Sequence, residues 1–284
     1  VITSILSTRH DKEIPLAVSA KKDYAAIAAA KIQKPSGQKR MPQVLVYARN
    51  KKGKSTFGAS APDVLMIDPE NGTDHLRKVD PAVWKVSQWE DLEEVYRFLR
   101  LGTHKYKWVC VDGITRIHNM ALRFVMQQQE ERDLDRIPGF VQLKDYGKAN
   151  ELLKGMMLNF QALGVGVVYT VQERMQAVEN TAEEDEDAEE SDVMFVPDVS
   201  KGARSAINAM VDVIGRLYTV RTTKTVKLRN GGTKEKEYVQ RRLWLGVHPR
   251  YDTGFRSDYE LPDFLTDPTV PRLVELLNSG KVAK

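Results

Sequence analysis

Val44-Leu45-Val46-Tyr47-Ala48-Arg49-Asn50-Lys51-Lys52-Gly53-Lys54-Ser55-Thr56 is the stretch that decides how this chain reads. Its first four residues are a short apolar run bounded by turn formers, the length of a buried strand. Helix-forming residues follow from Lys54. Between them stands the second half of the phosphate-binding pattern GxxxxGK[ST], with Ala48 in place of the first glycine. The chemistry asks for these residue types. Gly53 lets backbone N–H groups wrap phosphates. Lys54 reaches the β- and γ-phosphates, and the Ser55 hydroxyl ligates Mg²⁺. A helix starting here turns the positive end of its dipole to the anion. Residues Ala48 to Thr56 are therefore the expected cradle for ATP and Mg²⁺. The Ala48 Cβ disfavours positive φ, which predicts some loss of loop freedom and weaker nucleotide binding.

Outward from this stretch the chain alternates. Val64–Ile67, Trp108–Val111 and Gly164–Val171 are further apolar runs of strand length. Ser87-Gln88-Trp89-Glu90 has the form of a capping box opening a helix to about Leu101. Helices are expected from about Thr115 to Glu131 and from Asp145 to Leu163, the second with Leu152, Met156, Phe160 and Leu163 on one face. Continuous apolar strands separated by helices predict an α/β fold with a mostly parallel sheet covered on both faces. A phosphate loop implies a metal-side carboxylate at the end of a neighbouring strand, and Asp112 follows Trp108–Val111. Hydrolysis also needs a group that orients water. Glu70, in Met66-Ile67-Asp68-Pro69-Glu70, sits just past the second strand, with Asp68 as its competitor.

Composition narrows the classes. The chain has 284 residues, of which 42% are hydrophobic and 29% charged, which excludes a wholly disordered protein. Cys110 is the one cysteine, so no internal disulfide and no cysteine-based zinc site can form. The five histidines show no HxxxH or HExxH spacing, which argues against a catalytic zinc. No apolar run approaches the ~18 residues of a membrane helix. The N-terminus lacks both a signal-peptide pattern and an initiator Met, as in a processed or trimmed chain. A single cysteine fits a reducing, cytoplasmic setting. The net charge of +4 hides an asymmetry: residues 179–192 hold nine acids and no base, so the rest of the chain is strongly basic. That balance suits a polyanionic partner and a solubilising surface charge pattern alike.

These residues resemble the RecA-type recombination ATPases, and among them the small phage-encoded RecA-like ATPases associated with single-strand annealing. The resemblance rests on the phosphate loop, on Met66–Glu70 as the strand that supplies a catalytic glutamate, and on Val168-Tyr169-Thr170-Val171-Gln172 as the strand ending in a γ-phosphate sensor. It extends through Asp145-Tyr146-Gly147, Pro197 with Lys201, Asp212–Leu217 and Arg256-Ser257-Asp258 before Leu261-Pro262, and covers roughly residues 41–265. It implies a RecA-type P-loop core with a C-terminal β-hairpin extension. Residues 1–40 would be a lead-in or subunit-contact segment, and 266–284 a C-terminal helix or tail. It implies Gln172 as sensor and a DNA-facing loop from Glu173 to about Ala206, with Arg174, Lys201 and Arg204 on single-stranded DNA. The acidic run inside that loop would compete with DNA for the basic ends, or be an inert insertion.

A basic hairpin is expected from Val211–Leu228 and Glu237–Val247 around Asn230-Gly231-Gly232. Its cations suit DNA or a solvated face alike. Arg250 and Arg256 are candidates to reach a neighbour's γ-phosphate, with Lys201 and Arg204 as rivals. The function implied is a single-stranded-DNA-binding recombination ATPase that anneals or exchanges strands. It would form a homo-oligomeric filament or ring with ATP at subunit interfaces, and a single-strand-binding protein is a further partner. The alternatives are a hexameric helicase-type motor, or a non-hydrolysing annealing helper.

Overall fold

The computed structural model describes residues 23–32, 41–177, 193–227 and 232–281. Residues 1–39 and 40–284 form two separate units. In the first, α1 (Tyr24–Lys31) is the Ala-rich helix expected from propensity. The Asp23 side chain caps it by accepting from the N–H groups of Ala25 and Ala26. The acidic run 179–192 lies outside the described residues, as does most of the hairpin turn.

The second unit is built on one sheet. Its strands are β1 (Gln43–Ala48), β2 (Val64–Asp68), β3 (Ala82–Lys85), β4 (Trp108–Asp112), β5 (Gly166–Ala177), β6 (Val193–Pro197), β7 (Val213–Lys227), β8 (Thr233–Trp244), β9 (Gly254–Phe255) and β10 (Phe264–Thr266). The order across the sheet is β10-β8-β7-β1-β5-β4-β2-β3, with β6 paired to β5 and β9 to β7. Strands β7, β1, β5, β4, β2 and β3 run parallel; β6, β8, β9 and β10 are antiparallel additions. The α/β fold with a mostly parallel sheet and a C-terminal hairpin is as the pattern predicts.

Strand alternation sorts the core into two layers. Leu45, Tyr47, Ile67, Val109, Val111 and Tyr169 point to one face. There they meet α4 (Ile114–Arg132), α5 (Leu143–Gln161) and α6 (Lys201–Met210) through Ile117, Phe160 and Ile207. Val44, Val46, Met66, Cys110 and Val168 point to the other. They are covered by Phe57 of α2 (Lys54–Ala59) and by Val270, Leu273 and Leu276 of α7 (Val270–Ser279). The remaining helix, α3 (Asp91–Arg100), buries Leu92, Val95 and Leu99.

Three local expectations change. The helix expected from Ser87 begins at Asp91, and its cap is not the Ser87/Glu90 box. The Asp91 carboxylate instead accepts from the N–H groups of Ser87 at 2.6 Å and Gln88 at 3.1 Å. The region 173–206 is not one long loop. Strand β5 runs on to Ala177 and pairs with β6, Glu173 opposite Pro197 and Ala177 opposite Val193, and α6 follows. Asp145 does not open α5 but sits in its first turn. It is fully buried against the equally buried Arg136, and it also accepts from the Gln142 N–H in a Gln142/Asp145 capping box. The guanidinium hydrogen bonds hold the Asp145 carboxyl below the usual aspartate range.

Helix α2 reaches the sheet because Gly58 has no side chain: a Cβ there would fall on the Cys110 sulfur. Gly58→Ala gains ~1 kcal/mol of helix propensity but overpacks this contact, and a net loss of about 1–2 kcal/mol is expected in urea unfolding. Placed on Cys110→Ala, the same substitution should be neutral or stabilising. A loss of equal size in both backgrounds would mean that this contact does not set the α2 approach.

Candidate active site

The parallel strands end at one edge of the sheet, and their pairing aligns the ends. Ala48 lies opposite Gln172, and Asp112 opposite Thr170. Ligands bind at such edges in open α/β sheets. A cavity of about 780 Å³ opens there, walled by Asn50 to Thr56, Asp68, Glu70, Asp112, Gln172 and the base of the β7–β8 hairpin. Seven of the nine residues expected in the phosphate cradle line it. Ala48 and Arg49 do not.

Ala48 is buried in β1 and its φ is not positive, so the loop strain expected from its Cβ does not arise. Lys51 at φ 62° and Gly53 at φ 99° carry the left-handed turns. The Arg49 side chain turns to Glu173, at 3.2 Å. Lys54 Nζ donates to the Ala48 carbonyl at 3.1 Å and to that of Arg49 at 3.4 Å. Burial lowers its pKa, against the opposing pull of Asp112, Glu70 and Glu173. Lys52 donates to Thr219 Oγ1 at 3.1 Å.

The carboxylates divide by their hydrogen bonds. Asp68 is buried and accepts from the N–H groups of Glu70, Gly72 and Thr73 and from the Thr73 hydroxyl, all within 3.3 Å. It is spent on shaping the turn. Among the described residues none donates to the Glu70 carboxylate, and Glu70 lines the cavity. Partial burial raises its pKa, helped by the negative charge of Asp112. Asp112 accepts from the Thr170 hydroxyl on one oxygen. The Ser55 hydroxyl and the Asp112 carboxylate are hard oxygen donors on the same cavity, which suits Mg²⁺. Among the described residues no cluster of three His, Cys, Asp or Glu side chains could hold a metal alone. Mg²⁺ needs no such cage, since it is ordinarily held by one or two carboxylates with phosphate and water oxygens. Gln172 lines the cavity; its N–H donates to Thr115 Oγ1 at 3.3 Å and its carbonyl accepts from the Asp198 N–H at 2.7 Å.

The basic candidates fall elsewhere. Arg174 of β5 lies 3.8 Å from Asp198 and Arg204 donates to Gln176 of β5 at 2.9 Å, so both stand at the β5–β6 hairpin, while Lys201 is exposed at the start of α6, which follows β6. Neither Arg250 nor Arg256 reaches the phosphate loop of its own chain. Arg256 bonds the Ala209 carbonyl and sits 3.7 Å from Asp212, whose carboxylate accepts from the Gln43 N–H at the opposite end of β1. The Arg250 N–H donates to His248 Nδ1, and its carbonyl accepts from the Phe195 N–H. Sequence reading missed Thr170, Thr219, Val239 and Arg241 in the cavity wall. It also missed Glu173, a buried carboxylate held by Arg49 and by Arg216 at 2.7 Å.

A phosphate loop after a central strand, with acidic strand ends converging beside it, defines a P-loop ATPase of α/β architecture. Residues 40–257 match the family model described as an AAA domain, and the chain belongs to that family. No curated protein matches this chain. Among solved structures, a KaiC-like protein from the hyperthermophilic archaeon Pyrococcus horikoshii OT3 is similar at 12% identity, over 76% of this chain and 84% of that one, with a TM-score of 0.38. Among the described residues no helix is long and apolar enough to cross a membrane.

The division between Asp68 and Glu70 is testable without substrate. Asp68→Ala leaves buried donors without an acceptor and should lower stability by about 1–3 kcal/mol. Glu70→Gln should leave the unfolding midpoint unchanged. Equal midpoints for both variants would remove the structural role given to Asp68.

Proposed function

We propose that this chain is an ATP-dependent single-stranded-DNA-binding protein of recombination, acting in strand annealing or exchange as a homo-oligomer with ATP at subunit interfaces. The observation that carries the reading is the convergence of Lys54, Ser55, Glu70, Asp112 and Gln172 on one cavity. These are the residues whose order along the chain resembles the RecA-type recombination ATPases. The β5–β6 hairpin that leaves the site directly after Gln172 supports the DNA part, because Arg174 and Arg204 stand at it and Lys201 is exposed on the helix that follows. Those cations suit phosphates, which carry no base information. A single-strand-binding protein is a further partner in this reading.

Lys54 leaves its carbonyl acceptors to take the β- and γ-phosphates. Ser55 and Asp112 would hold Mg²⁺, which when bound would supply positive charge against the phosphate oxygens. Glu70 orients water and accepts its proton, for which a raised pKa is an advantage. Gln172, inside β5, hydrogen-bonds the γ-phosphate and passes its position along that strand to the β5–β6 hairpin. Arg250 or Arg256 serves a neighbouring subunit's site.

Turnover with and without single-stranded DNA tests the whole reading. DNA-stimulated slow turnover is expected, with filaments or rings visible in micrographs. Fast turnover with strand separation would replace it by a motor, and no turnover by a binding helper. Lys54→Ala should abolish hydrolysis. Glu70→Gln should keep nucleotide binding and slow hydrolysis by about 10²–10⁴-fold. Glu70 acts ionised and its pKa is raised, so wild-type turnover should fall as pH drops through a value above the ordinary 4.5. That acid limb should vanish in Glu70→Gln. A limb unchanged by the substitution would move the role to another group.

A further inference from the structure

We propose that Arg241 is a phosphate ligand supplied by the same chain, a residue outside every phosphate-loop motif; this rests on the nucleotide-site reading above. Strand β7 pairs with β1 only as far as Arg216 opposite Tyr47. Beyond that, residues 217–227 pair with β8 alone, so the hairpin rises past the sheet edge beside the phosphate loop. Directly opposed residues of an antiparallel pair share a face, and so do every second pair along it. Leu217 and Leu243 are opposed and buried in the same apolar cluster as Phe57 of α2. The next pair on that face is Thr219 with Arg241, and the one after is Arg221 with Val239. Thr219, Arg241 and Val239 all line the nucleotide cavity.

The contact with the loop is close. A Cβ on Gly53 would stand 3.2 Å from Arg241 Nε and 3.4 Å from its Cζ, so the guanidinium lies over the glycine that makes the left-handed turn of the phosphate loop. Among the described residues the Arg241 side chain has no ion pair and no hydrogen bond, whereas Arg49, Arg174, Arg204, Arg216 and Arg256 all have one. Lys52 and Lys54 stand on the same wall. The acids Asp68, Glu70 and Asp112 also line the cavity, but Asp68 and Asp112 end β2 and β4, which β1 and β5 separate from the hairpin, and Glu70 stands two residues past β2. Like charges gathered on one wall are relieved by an anion between them. A guanidinium matches phosphate oxygens with two parallel N–H donors, which a lysine cannot do. The ligand this geometry takes is the polyphosphate of a nucleoside triphosphate, held between Arg241 and the phosphate loop.

The test is titration of the full chain with ATP and Mg²⁺ by calorimetry, for wild type, Arg241→Gln, Arg241→Lys and Lys54→Ala, with the melting temperature of each ligand-free protein. Arg241→Gln should bind ATP about tenfold or more weakly, the size expected for a lost charge-assisted hydrogen bond. Arg241→Lys should fall between it and wild type, and the ligand-free melting temperatures should match. Unchanged ATP affinity in Arg241→Gln, beside a loss in Lys54→Ala, would overturn this proposal and leave the nucleotide site standing. Wild-type affinity in Lys54→Ala would overturn both. A weakened Arg241→Gln that also melts lower, with Arg241→Lys no better, would mean that the side chain only props the loop and would overturn it too.

Discussion

The parallel register of β1, β5, β4 and β2 is the constraint on which the site depends. Backbone pairing sets Ala48 beside Gln172, Thr170 beside Asp112 and Val111 beside Ile67. The interior residues of these strands are covered on both faces and must be apolar. The first residues beyond that cover are free to be polar, and all emerge at the same edge. A one-residue slip of β4 would turn Asp112 to the opposite face and bring Cys110 into the other helical layer. The grouping of polar residues at this edge is thus a by-product of core burial: two apolar clusters set it, and the Thr170–Asp112 and Lys52–Thr219 hydrogen bonds add to it.

A second tie joins the site to its surroundings. Glu173 is nearly inaccessible, yet it faces Arg49 of the phosphate loop and Arg216 of β7. Arg216 in turn lies 4.3 Å from the ring centroids of both Phe195 of β6 and Tyr251. The Phe195 carbonyl accepts from the buried Tyr47 hydroxyl at 2.9 Å. A buried carboxylate with two cations and an aromatic cage is tolerable where each charge is paired. The phosphate loop, the β5–β6 hairpin and β7 therefore meet at one carboxylate. Any shift of Arg49 during nucleotide exchange would be felt at Phe195. The nucleotide cavity has a similar division of labour, with its cations on the loop and hairpin and its acids on the strand ends.

Much of this was legible in the residues. The apolar runs located β1, β2, β4 and the inner half of β5, because a strand buried on both faces has no polar position to blur it. Gly53-Lys54-Ser55 marked the loop because few turns carry that spacing between a strand and a helix. The outer half of β5 was not legible: Gln172-Glu173-Arg174-Met175-Gln176 reads as polar loop, and its ladder with β6 spans a long sequence separation. The Ser87/Glu90 box failed for a local reason. A competing acceptor, Asp91, stands one residue further on.

Sequence by itself determined the fold class, the phosphate loop and the carboxylates at the strand ends, because each is a matter of residues adjacent in the chain. It could name Asp68 and Glu70 as rivals but not separate them. The separation came from which of the two the backbone surrounds with donors. Tertiary structure alone decided that Arg49 faces Glu173, that Arg256 sits at the far end of β1, and that Arg241 lies over Gly53. Those placements follow from strand order and hairpin length, which bring residues nearly two hundred positions apart to within a side chain of each other. A cation on a strand reads the same in sequence whether it meets water, nucleic acid or phosphate; only the neighbouring chain segments give it a partner.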